Sequence, residues 1–446
     1  MKTGNSSARR VALAATLGLA FALAPWDGMV TSDFGAAVAQ SSRKGSSKAD
    51  ERRNKKKTRK VQTLSERVFK KLMEAQELME IEQYTEALVV LNDARKIRRL
   101  KAYDRAMIHQ LTGYVYSSQE NYKDAVVEFE QLVRVGAESA PEGVLASTLY
   151  NLGQMYMVLE EWRKGIESLK KWFAITTNPG PEPHMLMAQG YSQTGEFKKA
   201  IPFAEKAIAL AKEQGKIPKE NWYQFLMGMH FELQDYPRIA EVLQILVDLY
   251  PKKTYWLQLS GVYSELKQEK KQLGTMEVAY EQGYLDKSTE FVNMAQLFLY
   301  HEIPYKAAKV LEKGLRDKSI EPTKDNWELL ANAFLNASEF KQAIPYLEKA
   351  AALAEDGELY VRLGQAHMEN EDWALAVGAF NKAIKKGKLK KEGTAHLLLG
   401  MASFHADRWA DAKTAFRKAR KDKSVKKEAA QWLNHIRGEE RLKAAQ

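Results

Sequence analysis

Cysteine is absent from this 446-residue chain, which excludes disulfides, thiol nucleophiles, thiolate metal sites and lipid-modified cysteines. Downstream of the N-terminal segment, no apolar run approaches the roughly 20 residues that span a bilayer. The chain also lacks a glycine-rich phosphate loop and a Gly-x-Ser-x-Gly elbow. His301-Glu302 begins like a zinc-protease helix motif, but Tyr305 stands where the second histidine is required. These absences predict a chain that is not an enzyme and needs no cofactor.

The net charge of +11 conceals an uneven distribution of charged residues. Residues 40–60 contain ten basic and two acidic residues, and residues 381–446 contain 18 basic and seven acidic ones. Residues 61–380 have a net charge of −9. The chain is therefore an acidic body with two basic ends, and we predict no nucleic-acid partner.

The N-terminus has the pattern of a secretory signal. Lys2, Arg9 and Arg10 precede an apolar stretch over residues 11–24, and the small residues Ala37 and Ala39 follow. This pattern predicts a signal peptide over residues 1–39, cleaved after Ala39. The alternative is an uncleaved anchor in the inner membrane. Either way, the rest of the chain lies outside the cytoplasm.

A basic linker over residues 40–64 follows the predicted signal. It is rich in Ser, Lys and Arg and has almost no core-forming residues, so we expect disorder. Residues 43–60 either contact an anionic surface of the cell envelope or serve only as a solvated spacer.

Small residues recur along the chain with a period of 32 to 40 residues, and we call each the pivot of its repeat. A period in this range predicts a solenoid of helix pairs. The pivots are Ala75, Gly113, Gly153, Ala188, Gly228, Ser260, Ala295, Ala331, Gly364 and Gly400.

A second helix follows each pivot with its own fixed pattern. After Gly364, Ala376 lies twelve residues on, Phe380 sixteen on and Ala383 nineteen on, and these offsets recur after other pivots. They lie on one helical face. The pattern resembles the tetratricopeptide repeat family. The resemblance implies an all-α, right-handed solenoid of about ten helix pairs over residues 65–423, with a capping helix and tail over residues 424–446.

In that family the first helix of each repeat lines a concave groove. We expect groove-facing residues one, four and five positions after the pivot and three before it. These positions are rich in amides and apolar residues, include several Glu and have no Lys or Arg. They predict binding of an extended, neutral-to-basic segment containing apolar residues or proline. The candidate groove residues are Gln154, Gln189, Phe225, Met229, Glu232, Gln296 and Glu328. The alternative is that glutamine serves only as a good helix former.

A more specific resemblance comes from residues 221–223 (NWY), 250–261 (YPKKTYWLQLSG) and 279–285 (AYEQGYL). These stretches look like the exported tetratricopeptide proteins that accompany TonB-type energy-transduction systems in Gram-negative bacteria. The resemblance implies a periplasmic protein with TonB-, ExbB- or ExbD-like partners that assists outer-membrane transport. Two other classes stay open: a scaffold for assembly of peptidoglycan, pilus or exopolysaccharide, and a subunit of a hydrolase whose chemistry lies in its partner.

Overall fold

A computed structural model describes residues 63–136 and 140–445. The predicted signal peptide and nearly all of the predicted basic linker lie outside these residues. The described residues form helices and turns with no strand, as the sequence predicts. Their 21 helices are α1 (Glu66–Glu80), α2 (Tyr84–Arg95), α3 (Ala102–Ser118), α4 (Tyr122–Gly136), α5 (Glu142–Val158), α6 (Trp162–Ile175), α7 (Pro181–Gln193), α8 (Phe197–Glu213), α9 (Glu220–Glu232), α10 (Tyr236–Leu249), α11 (Lys253–Glu265), α12 (Glu269–Glu281), α13 (Ser288–Tyr300), α14 (Pro304–Arg316), α15 (Lys324–Asn336), α16 (Phe340–Leu353), α17 (Glu358–Glu369), α18 (Trp373–Lys386), α19 (Glu392–His405), α20 (Trp409–Ala419) and α21 (Lys426–Ala445).

The first twenty helices follow one another as ten pairs, and α21 closes the series. Contacts divide them into two compact units, the first ending at Leu246 and the second beginning at Val247, within α10. No helix in residues 63–136 and 140–445 is long and apolar enough to cross a membrane.

A shared turn joins the two helices of every pair. The residue seven positions after the pivot, or six positions after Gly228, has a positive φ, between 55° and 76°. The next residue donates its N–H to the carbonyl five residues earlier, at 2.8–2.9 Å. This is a Schellman motif, which satisfies carbonyls left unpaired at the end of a helix. The positive-φ residues are Glu82, Glu120, Glu160, Gly195, Gln234, Lys267, Glu302, Ser338, Glu371 and Asp407.

The turn gives an independent measure of the register of two repeats. Lys267 follows Ser260 by seven residues, so Ser260 is the pivot of its repeat, and its hydroxyl donates to the carbonyl of Gln272 at 3.3 Å. Gln234 is seven residues after Met227, whereas the small-residue pattern assigns Gly228. The assignment of Gly228 as pivot is therefore wrong by one residue.

Small pivots let the paired helices approach closely. A Cβ atom built on Gly364 would lie 2.6 Å from Cε1 of Phe380, far inside the 3.5–4.0 Å of a normal carbon contact. The phenylalanine ring thus occupies the space that a side chain at the pivot would need. The same glycine–phenylalanine contact recurs for Gly113 with Phe129 and for Gly400 with Phe416.

The last helix covers the apolar end of the second unit. Trp432 of α21 stacks on Phe416, with ring centroids 5.6 Å apart and an interplanar angle of 7°. Ala429, Leu433 and Ile436 are buried beside it. The predicted capping helix is confirmed, and it removes the apolar face of the tenth helix pair from water.

Candidate functional site

The second unit contains a groove between the first helices of two consecutive repeats, α15 and α17. Its volume is about 530 Å³. A groove between such helices follows from the repeat, because each first helix turns the same side outward beside its neighbour. The lining residues are Asn332, Leu335, Asn336, Phe340, Arg362, Gln365, Ala366 and Glu369.

Most of these residues occupy the offsets predicted from the sequence. Asn332 and Gln365 directly follow their pivots, and Asn336 and Glu369 lie five residues after them. Residues at these offsets thus line this groove, although none of the seven candidate residues named from the sequence does. Arg362 lies two residues before its pivot, which is not one of the four predicted groove offsets, so the sequence pattern does not identify it.

Arg362 is held by groups from the preceding repeat. Its Nη1 donates to Oε1 of Glu328 at 3.1 Å and to Oδ1 of Asn332 at 3.0 Å. Lys324 approaches Oε2 of Glu328 at 3.1 Å, and hydrogen bonds to Asp325 and Glu328 raise the pKa of that lysine. Glu328 is thus an ion-paired link between α15 and α17 rather than a free acidic group.

Four of the glutamines that directly follow a pivot make no side-chain hydrogen bond within the described part of the chain. Gln154 and Gln189 are half-buried in the first unit, whereas Gln296 and Gln365 are exposed in the second. Glu369 is also exposed and has no ion pair with a described residue. Each amide offers a donor and an acceptor to a ligand.

Two residues of α9 that were predicted to face the groove are buried. Phe225 is 8% exposed and Met229 is 2% exposed, so both side chains belong to the core of the first unit. With Met227 as pivot, the residue four positions on is Phe231, which is 57% exposed. Glu232 is exposed and moves to the offset five after the pivot. Phe231 therefore replaces the two buried residues on the outward side of α9.

Two histidines share a sequence spacing that identifies Met227 as the pivot of its repeat. His230 and His367 are both buried, and each places Nδ1 near an aspartate five residues on, at 3.3 Å from Asp235 and 3.7 Å from Asp372. His367 lies three residues after Gly364. By analogy, His230 lies three residues after Met227, so the shared His-x₄-Asp spacing marks the pivot.

No group of three or more His, Asp or Glu side chains converges among residues 63–136 and 140–445. The groove lining combines the apolar side chains of Leu335, Phe340 and Ala366 with three amides, one arginine and one carboxylate. Such groups recognise hydrogen-bonding ligands.

Two tetratricopeptide-repeat family models match the chain. One matches residues 184–218, over α7 and α8, and the other matches residues 328–388 and 361–425, which include α17 to α20. These stretches are tetratricopeptide repeats. Neither model describes a catalytic family, and repeats of this kind serve as scaffolds for protein–protein interaction.

Several solved structures are similar to part of the chain, and no curated protein matches the sequence. YrrB, described as a tetratricopeptide-repeat protein with an unusual peptide-binding site, is 18% identical with a TM-score of 0.33; the match covers 43% of this chain and 97% of YrrB. A MamA structure is 18% identical with a TM-score of 0.32, over 40% of this chain and 94% of MamA. MamA from Desulfovibrio magneticus RS-1 is 19% identical with a TM-score of 0.30, over 38% and 93%.

Proposed function

We propose that the chain is an exported, non-enzymatic scaffold that binds an extended protein segment through the outward side of its first helices. The observation that supports the proposal is the set of glutamines whose side chains have no hydrogen-bond partner within residues 63–136 and 140–445. An extended backbone presents unpaired N–H and C=O groups, which amide side chains satisfy together.

The charges of the groove favour a neutral-to-basic ligand. Arg362 is already engaged by Glu328 and Asn332, whereas the exposed Glu369 has no ion pair with a described residue. A lysine or arginine of the ligand would find a partner in Glu369. An acidic ligand would face that carboxylate unshielded.

More specifically, we propose that the bound partner is a TonB-, ExbB- or ExbD-like protein in the periplasm of a Gram-negative bacterium. This proposal rests on the sequence resemblance in residues 221–223, 250–261 and 279–285. Proline- and lysine-rich periplasmic segments suit an amide-lined groove with free carboxylates. Crosslinking in living cells, followed by identification of periplasmic partners, tests this assignment. Recovery of peptidoglycan, pilus or exopolysaccharide machinery instead would replace it with the assembly-scaffold function.

The binding mode is tested by titrating a labelled peptide rich in proline and lysine onto the purified chain. We expect the double variant Gln365→Ala, Asn336→Ala to weaken binding about tenfold, because each lost hydrogen bond contributes roughly 0.5–1.5 kcal/mol. The matched control, Asn381→Ala with Gln431→Ala, removes two exposed amides from helices that do not line the groove. Equal affinities of the two double variants would contradict the groove model.

Charge steering gives a second readout. Glu369→Lys and Glu232→Lys, made separately, should slow association with the basic peptide, and the effect should shrink as salt shortens the Debye length from about 10 Å at 0.1 M. A preference for an acidic peptide would contradict the proposed ligand. Phe225 is unsuitable for such a test because its ring is buried.

Export is part of the proposal and has its own test. N-terminal sequencing of the protein from the periplasm should give Gln40, as the Ala37-x-Ala39 pattern predicts. Recovery of an intact Met1 in the membrane fraction would replace the cleaved form with the anchored one.

A further inference from the structure

Exposed basic residues are concentrated at one place in the second unit. They come from the end of α18, the loop that leads to α19, the end of α20, the loop that leads to α21 and the start of α21. We call this set the cationic edge. Its residues are Lys385, Lys388, Lys390, Lys391, Arg417, Lys418, Arg420, Lys421, Lys423, Lys426 and Lys427, all exposed.

The fold brings the two basic loops together at Gly393. A Cβ atom on Gly393 would lie 2.3 Å from both Cβ and Oδ2 of Asp422, so the second loop packs directly against the start of α19. Asp422 accepts hydrogen bonds from the backbone N–H and the hydroxyl of Ser424, at 2.8 and 2.7 Å. Together with a backbone hydrogen bond from Gly393, they hold the pKa of Asp422 below its usual range.

Asp422 therefore organises the loop, and its carboxylate is already occupied. Within residues 63–136 and 140–445, none of the eleven basic side chains forms an ion pair with a carboxylate. Elsewhere in the second unit, basic groups such as Lys324, Arg362 and Lys413 do have acidic partners. The cationic edge therefore presents eleven positive charges that are not paired with a carboxylate of the described residues.

The composition of the cationic edge discriminates between classes of anionic ligand. Nine of its eleven residues are lysine, a flexible point charge, whereas arginine is the usual choice for geometric recognition of nucleic-acid phosphates. The segments 385–391 and 417–427 contain no aromatic residue on which a base could stack. Lysine is also depleted in protein–protein interfaces. A fluid array of anionic headgroups requires only charge density.

We propose that the cationic edge binds the surface of an anionic phospholipid bilayer. The inference does not rest on the groove, because no residue of the cationic edge is among the residues that line the groove. The loop after α18 contacts the start of α17, where the backbone N–H of Lys390 donates to Oε1 of Glu358 at 2.5 Å.

The test is sedimentation of the whole chain with vesicles of phosphatidylcholine, with and without phosphatidylglycerol. Each lysine near an anionic surface strengthens binding roughly fivefold at moderate salt. We therefore expect neutralisation of four edge lysines to weaken binding to the anionic vesicles at least about tenfold. The edge variant combines Lys390→Gln, Lys423→Gln, Lys426→Gln and Lys427→Gln.

Two matched variants separate location from net charge. Substituting arginine at the same four positions keeps the charge and should retain binding. The control variant makes the same change in net charge on exposed lysines of the first unit, and should bind as the unmodified chain does. Its substitutions are Lys123→Gln, Lys198→Gln, Lys206→Gln and Lys216→Gln. Circular dichroism confirms that each variant is folded.

Three outcomes would overturn the proposal. Equal losses in the edge and control variants would mean that net charge alone drives binding. An unaffected edge variant would mean that another part of the chain, such as the basic residues 43–60, is responsible. Stronger binding of the edge to a nucleic acid than to anionic vesicles would assign it to a different ligand. Hydrogen exchange should show protection of residues 387–391 and 420–425 on vesicles, and its absence would also count against the proposal.

Discussion

Replacement of Gly364 by alanine tests whether the close helix crossing is set by the pivot. The added Cβ would lie 2.6, 2.7 and 2.8 Å from three ring atoms of Phe380. Those distances are about 1 Å shorter than a normal carbon contact. The ring is fully buried, so it cannot move into solvent, and overpacking of this kind costs about 1–3 kcal/mol.

The helix propensity of alanine works in the opposite direction. Alanine is about 0.8–1 kcal/mol more favourable than glycine in a helix interior. We therefore expect Gly364→Ala to lower the free energy of unfolding by about 0.5–2 kcal/mol. Gly378 in α18 is the matched control, because it is exposed and nothing lies within 4 Å of its added Cβ. Gly378→Ala should raise stability by roughly the propensity gain.

The two variants thus change stability in opposite directions, although the chemical change is the same. Urea unfolding of both, followed by circular dichroism, gives the comparison. Because repeat arrays do not always unfold in one step, hydrogen exchange of the amides in α17 and α18 locates the effect. If Gly364→Ala stabilises the chain as much as Gly378→Ala, the proposed crossing contact is wrong.

Other substitutions probe other parts of the core. Ala376→Leu should cost about 1–3 kcal/mol through overpacking at a fully buried position, whereas Ala374→Leu, on the exposed side of the same helix, should stay within about 0.5 kcal/mol. Burial would raise the pKa of Glu128, but hydrogen bonds from His109 and Arg95 hold that pKa below its ordinary value. Its contribution to stability is therefore complete above the ordinary pKa and is lost as pH falls through the depressed one. When the melting temperature is measured at decreasing pH, the Glu128→Gln variant should not show this loss of stability.

The fold could be predicted from the sequence because its determinants are local. A small pivot is followed by an alanine twelve residues on and a large apolar residue sixteen on, and these offsets predict a tight helix pair. Gly364 lies against Phe380 as they require, and Ala376 is buried in one cluster with Phe380. The capping helix follows from the same logic. A terminal repeat needs an apolar cover, and Trp432 provides it.

The candidate site was harder to predict because it depends on single-residue register and on contacts between repeats. Met227 and Gly228 are adjacent, and a rule that favours small residues selects the wrong one. A slip of one position rotates the assigned face by about 100° on a helix, which moved the buried Met229 onto the predicted surface. Phe225 was predicted three residues before its pivot, an offset at which Leu72 and Met185 are also buried. The position of Arg362 against Glu328 depends on how successive repeats stack. No offset within one repeat contains that information.

The groove is proposed to bind a cationic peptide and the cationic edge an anionic surface. The charges of one region could therefore alter ligand binding at the other. Lys390 contacts Glu358 at the start of α17, and the helical rise places Gln365 about 10 Å and Glu369 about 16 Å farther along that helix. At 0.1 M salt these separations equal or exceed the Debye length of about 10 Å. A cationic peptide at Glu369 would therefore be largely screened from the edge. Neutralising edge lysines should change peptide affinity little, and groove substitutions should leave vesicle binding unchanged. Strong coupling between the two would mean that one surface serves both ligands.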